Sequence, residues 1–287
     1  METVSRLGVV GCGLMGSGIA EVAALGGVDV LVAESSFDAA TAGRRRVEAS
    51  LDRGLRRGKI TEEARDGARS RLSYTDDLKD MADRQFVIEA VAENRDLKAG
   101  VLRTLDQVVT DPEAVLATNT SSIPIVDLAV ATRRPTHVLG LHFFNPVPVQ
   151  ALVEIIPALT TSPDTVVRAR AFVSEALGKE VVEASDRSGF VVNALLVPYL
   201  LAAVRMVEAG AATAQDIDRG MELGCAHPMG PLRLLDLIGL DTAQAVAESM
   251  YEEFKEPLYA PPALLRRMVA AGRLGRKSGQ GFYDHSV

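Results

Sequence analysis

The chain has 287 residues, 47% of them hydrophobic and 24% charged, which bounds it to an ordinary globular protein of one or two domains and excludes a disordered or fibrous chain. Its 38 acidic side chains outnumber 31 basic ones, for a net charge of −7 and a pI near 5.3, so a general nucleic-acid role is excluded. A local basic patch for an anionic substrate remains compatible with that balance.

Leu7 to Val10 reads as a first strand and breaks at once into Gly11-Cys12-Gly13-Leu14-Met15-Gly16. This is a G-x-G-x-x-G fingerprint. Gly11 permits the turn off the strand, Gly13 lets the backbone approach a pyrophosphate, and Gly16 lets the next helix pack close. From about Leu14 the first helical N–H groups face the phosphates. The motif occurs by chance in glycine-rich turns, so context decides. A second apolar run, Val28 to Ala33, follows and ends in Glu34. An acid there accepts hydrogen bonds from an adenosine ribose and repels a 2′-phosphate, which favours NAD over NADP.

Phe37 to Leu72 is a long charged helical stretch, punctuated by Gly58-Lys59-Ile60-Thr61. With Thr61 as an N-cap it predicts a helical hairpin inserted after the second strand. It carries Arg53, Arg56, Arg57 and Lys59. Such a cluster is most often a solvated face; in an acidic nucleotide-binding protein it could also hold an anionic tail.

Phe86 to Ala90 predicts a further strand, with Glu93, Asn94 and Lys98 following it. Ligands bind beyond the carboxyl ends of strands in open α/β sheets, so these residues are expected near the cofactor; the plainer alternative is a solvated helix start. The strand Val115 to Thr118 leads into Asn119-Thr-Ser-Ser122. One of these polar residues suffices as an N-cap before the helix from Pro124. The surplus points to ligand contacts from Asn119, Ser121 or Ser122.

His137 to His142 and Leu152 to Ile156 read as strands joined through the turn at Asn145-Pro146-Val147-Pro148. A hairpin brings His142 and Glu154 face to face. A carboxylate on one imidazole nitrogen fixes the tautomer and leaves the other as a general base. A lone histidine on an apolar strand is more often a core residue, but the available Glu154 beside a dinucleotide fingerprint reverses that preference.

After Asp186-Arg187-Ser188-Gly189 strand signals nearly vanish. Helices are expected at about 190–208, 214–222, 231–252 and 260–272. The apolar stretch Phe190 to Val204 is interrupted by Asn193 and Pro198 and reads as a buried helix, not a membrane span. The fold class is therefore α/β: a Rossmann-like NAD-binding domain over 1–186, with its helical insertion at about 37–72, then an all-α domain over 187–287. Cys12 and Cys225 have neither metal nor redox spacing, so no metal is expected and a reducing compartment fits. Met1-Glu-Thr-Val leads straight into the first strand, so no signal peptide is expected and the site of action is read as cytoplasmic.

The chain resembles the 3-hydroxyacyl-CoA dehydrogenase family, in particular its stand-alone bacterial members that act on 3-hydroxybutyryl-CoA. The resemblance rests on GCGLMGSGIA at 11–20, IEAVAENRDLK at 88–98, ATNTSSIPI at 117–125 and GLHFFNPVPV at 140–149. It continues through DRSGFVVNALLVPYL at 186–200, HPMGPLRLLDLIGLD at 227–241 and LGRKSGQGFY at 274–283. It implies reversible NAD-dependent oxidation of a (3S)-3-hydroxyacyl-CoA. In that scheme His142 is the acid/base, Glu154 its orienting partner, and Ser121 and Asn193 hold the reacting oxygen and thioester region. It implies that Glu93, Lys98, Ser121, Asn145 and Lys277 line the cofactor site beside the fingerprint and Glu34. Ser50, Arg57, Lys98 and Ser121 would meet the CoA part. The family usually has Lys where Arg57 stands and Asp where Glu34 stands, so both charges are kept. The resemblance further implies a homodimer through the C-terminal domain, with acyl-CoA as substrate and neither nucleic acid nor membrane as partner. Two other readings stay open: a dehydrogenase of another small hydroxy acid, such as a sugar acid, and a non-catalytic nucleotide-binding relative of the kind found among lens crystallins.

Overall fold

The computed structural model describes residues 4–286; Met1 to Thr3, part of the N-terminal reading, lie outside the described residues. The chain divides into two compact units, Met1–Asp186 and Arg187–Val287.

The first unit is built on an eight-stranded sheet. Its elements in chain order are β1 (Arg6–Val10), α1 (Leu14–Leu25), β2 (Asp29–Ala33), α2 (Phe37–Arg56), α3 (Glu62–Ser70) and β3 (Leu72–Thr75). Then come β4 (Phe86–Glu89), α4 (Arg95–Val108), β5 (Val115–Thr118), α5 (Ile125–Ala129), β6 (Val138–Phe143), β7 (Leu152–Pro157), α6 (Pro163–Ala171) and β8 (Glu180–Glu183). The strand order is β3-β2-β1-β4-β5-β6-β7-β8. All neighbours are parallel except β6 and β7, which pair antiparallel. The central strands are buried on both faces, as a parallel sheet covered by helices requires: Leu7, Val9, Val30, Val32, Phe86, Ile88, Val115 and Leu116 are all fully buried. Each such side chain contributes about 1.5–3 kcal/mol of transfer free energy.

The expected insertion is a helical pair. Ser36 caps α2, accepting from the Ala39 N–H, and Thr61 caps α3, accepting from the Ala64 N–H. Leu72 corrects the sequence reading. It opens a strand at the sheet edge instead of closing a helix, pairing with Val30. β8 was also unforeseen. Both are four-residue edge strands that are largely unburied, so they lack the apolar pattern on which strand recognition depends.

The second unit contains α7 (Val192–Glu208), α8 (Ala214–Gly224), α9 (Pro231–Ile238), α10 (Leu240–Phe254) and α11 (Ala263–Ala270). They pack around Leu200, Leu201, Val204, Leu232, Leu235, Leu240, Ala247, Met250 and Leu265. The single helix expected at 231–252 is two, because Gly239 sits at φ 103° and turns the chain between them. Pro198 is accommodated inside α7. The C-terminal segment is fastened to this unit by two buried aspartates. Asp236 accepts from the Phe282 and Tyr283 N–H groups and pairs with His285, while Asp218 accepts from the Tyr283 hydroxyl. No helix among the described residues is long and apolar enough to cross a membrane.

Candidate active site

At or just beyond the carboxyl ends of β1, β2, β4, β5 and β6 lie the glycine fingerprint, Glu34, Glu93, Ser121 and His142. Gly11 leaves β1 at φ +91°, and a Cβ on it would stand 2.7 Å from the Ala90 carbonyl oxygen. A Cβ on Gly16 would stand 1.8 Å from the Gly11 oxygen, so α1 packs directly on the loop. At Gly13 a Cβ would meet nothing within 4 Å. Gly13 and Leu14 are exposed, and the N-terminus of α1 has no side-chain cap, unlike those of α2, α3 and α4. Open space in front of uncapped helical N–H groups is the cradle a pyrophosphate fits. Glu34 closes the far side: its Oε1 accepts from the Cys12 N–H at 2.5 Å and its Oε2 from the Ser35 N–H at 3.2 Å. Cys12 itself is inert. Burial and the neighbouring Glu34 carboxylate push its thiol up to about 12, against the opposing effect of Arg46.

Beyond β4 the chain builds a buried ionic cluster. Glu89 and Lys98 are both 0% exposed, with Lys98 Nζ 2.9 and 3.1 Å from the two Glu89 oxygens. Glu89 also accepts from the Thr118 hydroxyl at 2.6 Å and the Val91 N–H at 2.6 Å. Lys98 reaches Glu93 at 3.4 Å. Glu93 in turn accepts from the Thr120 hydroxyl at 2.5 Å, the Ser121 N–H at 2.9 Å and the Ser122 hydroxyl at 3.2 Å. The Lys98 ammonium is enclosed by the Glu89 and Glu93 carboxylates, and its side chain has no exposed surface. Glu89, Thr118 and Thr120 escaped the sequence reading. A carboxylate inside the apolar run Phe86-Val-Ile-Glu89 was the available signal, since a charge there needs a partner.

The serine-rich segment after β5 is organised by these bonds. Asn119 accepts from the Phe143 N–H at 3.0 Å, tying β5 to β6, and Asn94 caps α4 through the Leu97 N–H, so both side-chain oxygens serve the fold. The cap on α5 comes from far along the chain, as Asp186 accepts from the Ile125 and Val126 N–H groups.

On β6 and β7 the register sets His142 directly opposite Glu154. His142 Nδ1 lies 2.7 Å from Glu154 Oε2, and Nε2 lies 3.2 Å from the Ser121 hydroxyl. Glu154 is fully buried and His142 is 4% exposed. With a carboxylate on Nδ1, that nitrogen carries the proton and Nε2 is the basic one. Phe144 stands edge-on to the imidazole with ring centroids 4.7 Å apart. The loop that follows exposes Asn145 and is pinned by Lys179, whose ammonium donates to the Val147 and Gln150 carbonyls; burial pushes its pKa down.

On α2, Ser50 is half-buried beside Glu21 of α1. Burial raises the Glu21 carboxyl, opposed by the Ser50 hydroxyl and Arg53. Arg57 closes α2, and Arg53, Arg56, Arg57 and Lys59 are all exposed. In the second unit, Asn193 occupies the first turn of α7 and Lys277 is paired with Asp241 at 2.5 Å. Among the described residues no group of His, Cys, Asp and Glu is arranged to hold a metal.

Comparison with known proteins meets this geometry. Residues 6–187 match the NAD binding domain of 3-hydroxyacyl-CoA dehydrogenase, and residues 189–285 match its C-terminal domain. The chain belongs to the 3-hydroxyacyl-CoA dehydrogenase family. It is 58% identical over 284 residues to a 3-hydroxybutyryl-CoA dehydrogenase of Mycobacterium tuberculosis, covering 99% of each chain. The crystal structure of M. tuberculosis FadB2 superposes with a TM-score of 0.98 at 59% identity, covering 99% of both chains. That of (S)-3-hydroxybutyryl-CoA dehydrogenase PaaH1 from Ralstonia eutropha gives 0.93 at 44% identity, covering 99% of this chain and 100% of the other. The family's NAD binding domain therefore coincides with the sheet that carries the glycine cradle, Glu34 and the His142–Glu154 pair.

Proposed function

We propose that this protein oxidises a short-chain (3S)-3-hydroxyacyl-CoA, 3-hydroxybutyryl-CoA in the first instance, to the 3-oxoacyl-CoA, reversibly and with NAD. The observation that carries the reading is His142, held on Nδ1 by a fully buried Glu154 and facing Ser121 with Nε2. The name carried by the M. tuberculosis relative supports the substrate.

Nε2 of His142 takes the 3-hydroxyl proton, and Glu154 stabilises the imidazolium that results. Ser121 and Asn193 hold the substrate's reacting oxygen and thioester region. When bound, NAD supplies the hydride acceptor for C3, and the protein supplies alignment. In the reverse direction the imidazolium returns its proton to the 3-oxo oxygen. The glycine loop from Gly11 to Gly16 would cradle the pyrophosphate and Glu34 the adenosine ribose; Glu93, Lys98, Ser121, Asn145 and Lys277 would line the cofactor site. Lys98, paired with Glu93, and Ser121 also meet the CoA part. Ser50 and Arg57 hold the CoA nucleotide. The all-α domain carries a homodimer contact, and the enzyme works in the cytoplasm.

The deciding experiment assays full-length protein with NAD and with NADP against 3-hydroxyacyl-CoA thioesters of several chain lengths and against free hydroxy acids. Turnover confined to the short thioesters with NAD is the expected result. Preferential turnover of a free hydroxy acid would replace this reading with the sugar-acid type of dehydrogenase, and no turnover with any of them would leave a nucleotide-binding protein.

A further inference from the structure

Cys12, in the middle of the glycine fingerprint, is bonded at its two backbone polar groups by side chains of opposite charge. Its N–H donates to Glu34 Oε1, and its carbonyl accepts from the Arg46 guanidinium. Arg46 lies on the exposed face of α2, and among the described residues no carboxylate lies within ion-pair distance of it. Its neighbour Arg44, by contrast, is paired with Glu48 at 2.9 Å. An unpaired guanidinium therefore sits beside the one carboxylate expected to meet the adenosine ribose. Guanidinium is the group best shaped to take a phosphate in two parallel hydrogen bonds. We propose that Arg46 is a specificity-determining residue at the ribose end of the cofactor site, a latent 2′-phosphate receptor held out of use by the Glu34 carboxylate alone.

The physical argument is one of sign. A 2′-phosphate placed at the ribose would face Glu34 and Arg46 together. Repulsion from the carboxylate and attraction to the guanidinium oppose each other, and Glu34 also offers the ribose hydroxyl an acceptor that only the unphosphorylated cofactor can use. Removing the carboxylate charge leaves the guanidinium unopposed. The site then turns from rejecting the phosphate to binding it without any new positive charge being introduced. Burial of Cys12 keeps the residue that both groups bond fixed, so neither has to move far to reach a ribose substituent.

This inference rests on the dinucleotide reading of the site, and calorimetry with ADP and 2′,5′-ADP separates the two. Neither ligand carries nicotinamide, so no catalytic step enters. Full-length wild type is expected to bind ADP at least tenfold more tightly than 2′,5′-ADP. Glu34→Gln should raise 2′,5′-ADP affinity tenfold or more. Adding Arg46→Met to Glu34→Gln should remove most of that gain while leaving ADP affinity within about threefold, and Arg46→Lys should retain an intermediate part of it. The gain in Glu34→Gln should also shrink as salt is raised. If the double variant binds 2′,5′-ADP as tightly as Glu34→Gln does, Arg46 is not the receptor and the proposal fails while the dinucleotide reading stands. Absence of ADP binding by folded wild type, checked by circular dichroism, would overturn both.

Discussion

Glu154 and Ser121 meet opposite nitrogens of His142, and each does a different job. The buried carboxylate of Glu154 sets which nitrogen carries the proton, and the Ser121 hydroxyl faces the other one, where the proposed mechanism puts the reacting oxygen. His142→Gln keeps the approximate size but not the basicity, so kcat should fall by about a hundredfold or more with NAD affinity nearly unchanged, by steady-state kinetics and NAD titration. Unimpaired kcat would remove the proposed base. Glu154→Gln should also slow turnover and displace the acid limb of the rate profile. The Glu89–Lys98 pair gives a second residue-scale test. Both partners are fully buried, so Glu89→Leu alone leaves the buried ammonium with only the more distant Glu93 as a carboxylate partner and should destabilise the protein by about 3 kcal/mol in urea unfolding. Glu89→Leu with Lys98→Met should recover a large part of that loss. Strict additivity of the two single effects would mean that the pair is not coupled.

Elements carry the next scale. The α2 helix ends in exposed Arg56 and Arg57, which among the described residues have no carboxylate partner such as Arg69 finds in Asp52. If they hold the CoA nucleotide, Arg56→Ala with Arg57→Ala should raise KM for acetoacetyl-CoA severalfold. A pantetheine thioester lacking the nucleotide should be little affected, and added salt should weaken only the former. Equal losses on both thioesters would make the cluster a solvated face. Elsewhere, Asp106 on α4 ties that helix to the turn before β6. Burial raises its carboxyl, but hydrogen bonds from the Arg133 N–H and from the Arg133 and Arg134 guanidinium groups outweigh it, and the net shift is downward. A carboxyl held below its unfolded value contributes stability above the unfolded pKa of about 4 and loses it as pH falls through the folded one. Asp106→Asn should therefore cost about 1–2 kcal/mol near neutral pH, limited because Arg133 is largely exposed and screened, and this difference should fade in acid. Denaturant melts at neutral and acid pH would show it, and a difference independent of pH would contradict the ionic account.

At the scale of the whole molecule, the helical unit exposes large apolar side chains on several of its helices: Leu195 and Met206 on α7, Leu223 on α8 and Leu237 on α9, with Leu195 and Leu223 about three-quarters exposed. A contact that covered them would remove this apolar surface from water. The dimer proposed through this unit predicts a species of about twice 30.6 kDa by light scattering. A stable full-length monomer at micromolar concentration would contradict it, and Leu195→Glu with Leu223→Glu should shift the equilibrium toward monomer.

Periodicity and glycine spacing in the sequence alone determined the strands of the first unit other than residues 72–75 and 180–183, the largely helical character of residues 190–272, the glycine turn at Gly11 to Gly16 and the pairing of His142 with Glu154. These are local facts. A fingerprint is contiguous, and a hairpin brings partners together through a short turn whose register is governed by strand alternation. Only the tertiary structure decided that Lys98 is enclosed by Glu89, that Asp186 caps α5 and that Glu34 and Arg46 bond the N–H and the carbonyl of Cys12. It also decided that residues 72–75 and 180–183 are strands. Each of these depends on groups distant in the chain, or on an edge strand whose backbone bonds, not its side chains, make it a strand. A sequence can show that a charge inside an apolar run needs a partner; which partner it finds is determined by packing.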